Sequence, residues 1–287
     1  MDIESLLNQP GKLPTIPKVT QHLIESFSSE DVSIDEIARQ LAADPVLSAK
    51  LLRLANSAYF NFSRAIGTIE EALKMLGFVM ARNLVLSHGL VLAFRNTPGI
   101  NLKQFWHYNL YTACASRWLA ALTGANTDFI FTLGLMHGLG QLQMHVAMPA
   151  IMVPLDRQTH VLQTGRAELE KETLGFHFGD VSAELARIWN FPLPLIDALR
   201  DIPQPLTAEP FSPAAAWVHL GAWRARTEVL GMSEQEVVAS YPFSVGKRLG
   251  IEPTWVAAIA AQNGDMTRAH VMPALSELTQ GLEAMLA

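Results

Sequence analysis

Nine histidines and a single cysteine, Cys114, make imidazole the main resource this chain has for metal or proton chemistry. Three histidines stand in settings that invite a chemical reading. His107 lies in Phe-Trp-His-Tyr-Asn, His137 in Gly-Leu-Met-His-Gly-Leu-Gly and His177 in Leu-Gly-Phe-His-Phe-Gly. Neutral imidazole nitrogen binds zinc and other divalent ions, and histidine exchanges its proton near neutrality. Taken singly, such histidines are more often packing or capping groups, and nothing in their spacing brings them together. Other chemical signatures are absent: there is no Walker loop, no Cys-x-x-Cys, no His-Glu-x-x-His and no Gly-x-Ser-x-Gly. Gly138-Leu139-Gly140 lacks a third glycine and follows no strand, which excludes a dinucleotide fingerprint. Cys114, among Ala113, Ala115 and Trp118, reads as a small core residue and cannot form an intramolecular disulfide.

The elements that must position these groups are helical. Apolar residues recur at helical spacing in Ile34, Ile37, Ala38 and Leu41, in Leu47, Leu51, Leu54 and Ala58, in Ile69, Ala72, Leu73 and Leu76, and in Val181, Leu185 and Ile188. Start signals agree: Ser33 with Glu36, Thr68 with Glu71 and Ser233 with Glu236 form capping-box pairs, and Asp44-Pro45 is a cap followed by proline at the first helical position. Gly77 and Gly124 stand where left-handed C-terminal caps belong. No apolar–polar alternation and no strand-flanked Asn-Gly or Asp-Gly turn occurs, so the fold class is all-α. Asn96-Thr97-Pro98-Gly99 separates two helical lobes, the proline-rich stretch from Ile202 to Pro213 is a connector, and His270 to Ala287 reads as one amphipathic helix. The tryptophans Trp106, Trp189, Trp217 and Trp223 are assigned to the core. Lys50 and Arg53 read as a solvated helix face, and Asn56-Ser57 as backbone capping near a helix end.

With 287 residues, 49 % of them hydrophobic and only 17 % charged, the chain has ample material for a buried core and is not disordered. From Phe129 to Leu155 it contains no charged residue, longer than the roughly 20 residues a membrane span requires. His137, Gln141, Gln143 and His145 interrupt that run and Pro149 and Pro154 break it, so it reads as two buried helices with no membrane span. The balance of 21 basic against 27 acidic residues, net −6, argues against nucleic acid as partner. The acidic start has no apolar leader, and a cytoplasmic location is expected.

Leu13-Pro14-x-Ile16-Pro17, Ile37-Ala38, Asp44-Pro45-x-Leu47, Leu52-x-Leu54-Ala55-Asn56-Ser57, Ile66-x-x-Ile69-x-Glu71-Ala72 and Leu76-Gly77 follow one another in order. This string resembles the HDOD domain, a bacterial signalling module related to HD-type phosphohydrolases. Phe105-Trp106-His107, Gly134-Leu135-Met136-His137 and Gly175-x-His177-x-x-Val181 continue the resemblance, which spans 13–206. It implies a first lobe over about 13–96, an HD-like lobe over about 100–206, and a helical extension over 207–287 packed on the HD-like lobe.

The resemblance also implies what an active relative needs: divalent metal held by histidines and by an adjacent His-Asp pair, whose carboxylate offsets metal charge while the metal activates water. Here the pair is His137-Gly138. Where relatives carry a late aspartate, Val218 to Trp223 offers Trp223, and the histidine pair of the cyclic-dinucleotide-cleaving branch is missing near Arg200-Asp201-Ile202. The expectation is a non-catalytic regulatory protein with a vestigial pocket of His107, His137, Gly138 and His177. No cofactor is expected beyond a residual divalent metal on His107 and His137. The expected partner is a signalling protein or a nucleotide-like small ligand. The alternative is a metal-dependent phosphohydrolase acting on a nucleotide or cyclic dinucleotide.

Overall fold

The computed structural model describes residues 2–25, 34–60, 62–262 and 271–286, and among them it contains helices and no strand. The first six helices are α1 (Ile3–Leu7), α2 (Lys18–Glu25), α3 (Ile34–Ala42), α4 (Pro45–Ala55), α5 (Ile69–Leu76) and α6 (Phe78–Ala93). After the turn at 96–99 come α7 (Leu102–Ala121), α8 (Thr127–Met136), α9 (Leu139–Ala147), α10 (Pro149–Gln158), α11 (Arg166–Leu174), α12 (Phe178–Ile188) and α13 (Leu193–Asp201). The proline-rich connector leads to α14 (Pro213–Val229), followed by α15 (Glu234–Ala239), α16 (Phe243–Leu249), α17 (Ala257–Gln262) and α18 (Leu275–Leu278).

Local chemistry sets the helix ends. Asp44 accepts the amides of Val46 and Leu47 at 2.9 and 3.1 Å and starts α4, with Pro45 in its first turn. Ser233 and Glu236 form a reciprocal capping box at α15. Thr68 caps α5 through the Glu71 amide, but the Glu71 carboxylate reaches back to the Gly67 amide and to Arg64 rather than to Thr68. Ser33 and the side chains of Ile34 and Glu36 lie outside the described residues. Asn56 does more than cap α4: its amide group donates to the Leu52 and Ile66 carbonyls and accepts the Ile66 amide at 2.8 Å, clamping the 57–65 loop shut.

The predicted stripes become two hydrophobic clusters, except that Ala58 lies exposed beyond the end of α4 and the side chain of Ile34 falls outside the described residues. One is built from α3 to α6 and receives Leu110, Ala113 and Cys114 from α7 and Phe131 and Leu135 from α8. The other, larger one runs through α7 to α14 and includes the four tryptophans assigned to the core. Helix α7 therefore serves both clusters, flanked by α8 and α14. Glycine lets its neighbours come close: a Cβ on Gly221 of α14 would lie 2.0 Å from Ser116 Oγ and 2.8 Å from Ser116 N. Among the described residues no single helix is long and apolar enough to cross a membrane.

Two expectations need correction. The charge-free run from Phe129 forms three helices, α8, α9 and α10, because the break falls at Gly138 as well as before Pro149, and Pro154 sits inside α10. The stretch after 270 is not one helix. Helix α18 stops at Leu278 with Thr279 as its C-cap, and Gly281, with φ 86°, starts a separate 3₁₀ turn, Leu282–Met285, which packs into the α3–α6 cluster. His270 and Ala287 lie outside the described residues.

Candidate ligand cavity around His137

Position 137 closes α8, and the break between α8 and α9 turns its imidazole inward. Nδ1 lies 2.7 Å from the Gly134 carbonyl, an acceptor only, so Nδ1 carries the hydrogen and Nε2 presents a lone pair. That Nε2 is buried with no hydrogen-bond partner among the described residues. The Tyr108 ring lies beside the imidazole, centroids 5.2 Å apart. Burial pushes the His137 pKa down to about 4, against the Gly134 hydrogen bond and with help from the Arg226 cation. At neutral pH His137 is an uncharged acceptor.

One turn on, Gln141 supplies a second acceptor of fixed orientation. Its Nε2 donates to Glu170 Oε1 at 2.6 Å, leaving Gln141 Oε1 buried and unpartnered among the described residues. Glu170, fully buried, also accepts Arg166 Nε at 2.7 Å and the Phe178 amide at 2.8 Å, although burial still raises its pKa. Arg166 continues to Asp156 at 2.9 Å, and Asp156 to His145 Nε2 at 2.9 Å. His145 Nδ1 returns to the Gln141 carbonyl at 2.7 Å, so this charged network closes on the same helix that it orients.

The cavity onto which His137 and Gln141 face has a volume of about 130 Å³. Its far wall is α14, where His219, Ala222, Trp223 and Arg226 fall on one face at helical spacing. His219 Nδ1 donates to the Ile202 carbonyl at 2.8 Å, and burial lowers its pKa too. Arg226 donates to the Leu162 carbonyl and to Thr164 Oγ1 at 3.3 Å, and its charge opposes the upward push of burial on the Tyr108 pKa. It forms no ion pair among the described residues. Trp223 is held by Ser240 at 3.0 Å and by edge contacts to Tyr241 and Trp255.

Of the four residues expected to form a pocket, His137 and Gly138 line this cavity. His107 stacks on Tyr111 and lines separate hollows on another face of α7. His177 caps α12: its Nδ1 accepts the Asp180 amide at 3.2 Å while Asp180 accepts the His177 amide at 3.0 Å. Tyr108, Gln141, His219 and Arg226 are cavity residues that the sequence reading did not single out. The spacing 219, 222, 223, 226 carries a signal for one shared helix face, but nothing in the sequence says what that face meets.

Residues 13–205 match the sequence profile of the HDOD domain. The chain belongs to the HDOD family. An uncharacterized protein of Treponema pallidum (strain Nichols) is 27 % identical over 205 residues; the match takes in 68 % of this chain and 38 % of that protein, so the chain spans well under half of its relative's length. Among solved structures, a protein of Shewanella amazonensis SB2B named as a candidate phosphohydrolase is 28 % identical, with a TM-score of 0.74 over 99 % of this chain and 98 % of that one. An HDOD domain protein of unknown function from Geobacter sulfurreducens, 22 % identical, shares the fold with a TM-score of 0.67 over 92 % of this chain and 93 % of its own.

The HDOD relationship to metal-dependent hydrolases makes a divalent ion the group to test against this cavity. The residues do not fit it. A Cβ on Gly138 would lie 2.8 Å from the tip of Phe105 and 3.0 Å from Asn109 Oδ1, so a side chain at this position would have to displace Phe105 and Asn109. Asn109 accepts the Gly138 amide at 3.3 Å and is itself anchored to the Phe105 carbonyl. Among the described residues no group of three or more His, Cys, Asp or Glu side chains is placed to hold a metal. Arg226, a fixed cation on the same cavity, opposes a second positive charge.

Proposed function

We propose that this HDOD protein is a non-catalytic regulator in bacterial signal transduction, acting in the cytoplasm by binding rather than by hydrolysis, with the His137 cavity receiving one end of a small nucleotide-like ligand. The observation that carries this reading is the close packing at Gly138, where a Cβ would meet Phe105 at 2.8 Å and Asn109 at 3.0 Å, which supports the absence of room for a metal-binding carboxylate. The remaining wall suits recognition. His137 Nε2 and Gln141 Oε1 are fixed acceptors for ligand N–H groups, Arg226 favours an anionic or carbonyl substituent, and Tyr108 and Trp223 offer aromatic surface. A ligand that binds only the folded state raises the melting temperature. The phosphohydrolase reading keeps one point of support, the name given to the Shewanella amazonensis protein of similar sequence.

Metal content and turnover separate the two. The purified protein is expected to hold metal well below one equivalent and to leave nucleotides, cyclic dinucleotides and simple phosphoesters intact. Gly138→Asp rebuilds the His-Asp pair in sequence but is expected to gain neither metal nor turnover, and to lose about 1–3 kcal/mol of stability through overpacking. Stoichiometric metal together with hydrolysis that disappears in His137→Ala would sink the proposal.

A further inference from the structure

A second hollow opens on the other face of α7. At helical spacing, Leu102, Lys103, Trp106 and His107 fall on one side of that helix, and Phe105 and Tyr108, which line the His137 cavity, fall on the other. This hollow has a volume of about 440 Å³, within the usual range of small-molecule sites, about 300–1,000 Å³.

Its floor is apolar and its rim is cationic. Val91 of α6, Leu102 and Trp106 of α7, and Leu286 form the floor. Arg53 from the last turn of α4, Arg95 just beyond α6 and Lys103 in the first turn of α7 stand around it, all exposed. None of the three makes an ion pair among the described residues. The one carboxylate on the rim, Glu283, already accepts the Gly281 amide at 2.7 Å. Three cations against one carboxylate leave a surplus of two positive charges around this hollow, in a chain of net charge −6. The N-terminal end of the 20-residue α7 adds partial positive charge at the same place. The field reaches one turn back along α4, where Lys50 is held below the ordinary lysine range, first by burial and then by Arg53.

Such a lining selects its occupant. An inorganic anion leaves the apolar floor unused, and an uncharged hydrophobe leaves the rim unneutralised. We propose that this hollow binds a small organic anion, with a carboxylate, phosphate or sulfonate held by Arg53, Arg95 and Lys103 and an apolar body lying on Leu102, Trp106 and Val91. Because α4, α6, α7 and the 282–286 segment all contribute walls, one bound molecule touches all four.

The test uses 8-anilinonaphthalene-1-sulfonate, an aromatic body with one sulfonate, titrated into the full chain at low salt and followed by fluorescence. Its uncharged relative N-phenyl-1-naphthylamine is titrated alongside. The sulfonate is expected to show one saturable site, roughly tenfold tighter than the neutral probe, and to weaken about tenfold at high salt and in the Arg53→Glu/Arg95→Glu variant. The variant Arg187→Glu/Arg200→Glu makes the same charge change elsewhere on the exposed surface and is expected to leave binding unchanged. A thermal melt checks that the rim variant is folded, and the salt titration of the unaltered protein gives the same readout should it not be. Equal affinity for both probes, or indifference to rim reversal and salt, would overturn the proposal. So would a failure of the sulfonate where an acidic amphipathic peptide binds, which would assign the hollow to a protein partner.

Discussion

His137 shows how one buried side chain couples burial to pH. In the unfolded chain its imidazole titrates near 6.5, and in the folded protein burial holds it down to about 4. The folded state therefore binds fewer protons than the unfolded state between those values. Stability from this site is fully present above about pH 6.5 and is lost as pH falls toward 4, by roughly 3 kcal/mol in all. Urea unfolding at pH 7 and at pH 4.5 should show that loss in the unaltered protein, and a smaller one in His137→Phe, which has no proton to bind. An equal acid loss in both proteins would remove His137 as its source. The sequence marked His137 and the glycine that follows it, because both are a matter of residue order. It did not reveal that Phe105 and Asn109 pack against Gly138 closely enough to meet any side chain placed there, since that depends on how α7 crosses the turn between α8 and α9.

At the scale of elements, the all-helical reading rests on stripes and caps that are local, and these were legible: Leu47, Leu51 and Leu54 are buried on α4, and Ala72, Leu73 and Leu76 on α5. Contacts between distant helices were not. Gly221 has no local signal at all, yet α14 lies so close to α7 there that a methyl group would meet Ser116 Oγ at 2.0 Å and the Ser116 amide and Thr112 carbonyl at 2.8 Å. In an isolated helix Gly→Ala gains about 1 kcal/mol. Here the overpacking cost, about 1–3 kcal/mol or more, is paid against backbone atoms that cannot turn aside, so the clash wins. Gly221→Ala should lower the melting temperature by several degrees. A melting temperature equal to or above that of the unaltered protein would show that α14 can lift off α7 at little cost. The Arg166–Glu170–Gln141 chain was equally hidden. Nothing in the sequence marks its charges as buried, and only the docking of α11 against α9 and α12 makes them an internal strut.

For the molecule as a whole, the family match ends at residue 205, but the cavity does not. His219, Trp223 and Arg226 of α14 form its far wall, and α14 runs along α7, the helix shared by both hydrophobic clusters. The 282–285 turn then returns to the α3–α6 cluster, so the segment beyond 206 touches both halves of the core. Burial of Trp217, Val218, Leu220 and Trp223 alone is worth about 1.5–3 kcal/mol each, a sum comparable with the 5–15 kcal/mol that typically separates a folded domain from its unfolded chain. Cutting the chain after residue 206 would remove those side chains and expose the α7 surface they cover. The fragment 1–206 is therefore expected to show helical circular dichroism without a cooperative melt, and to aggregate, whereas the full chain unfolds in one transition. A sharp melt of the fragment would mean that α14 is an appendage and that the ligand cavity can be built without it. The geometry at Gly221 argues the opposite, because a glycine-mediated contact this close between α7 and α14 leaves no layer of side chains that could reseal the surface once α14 is gone.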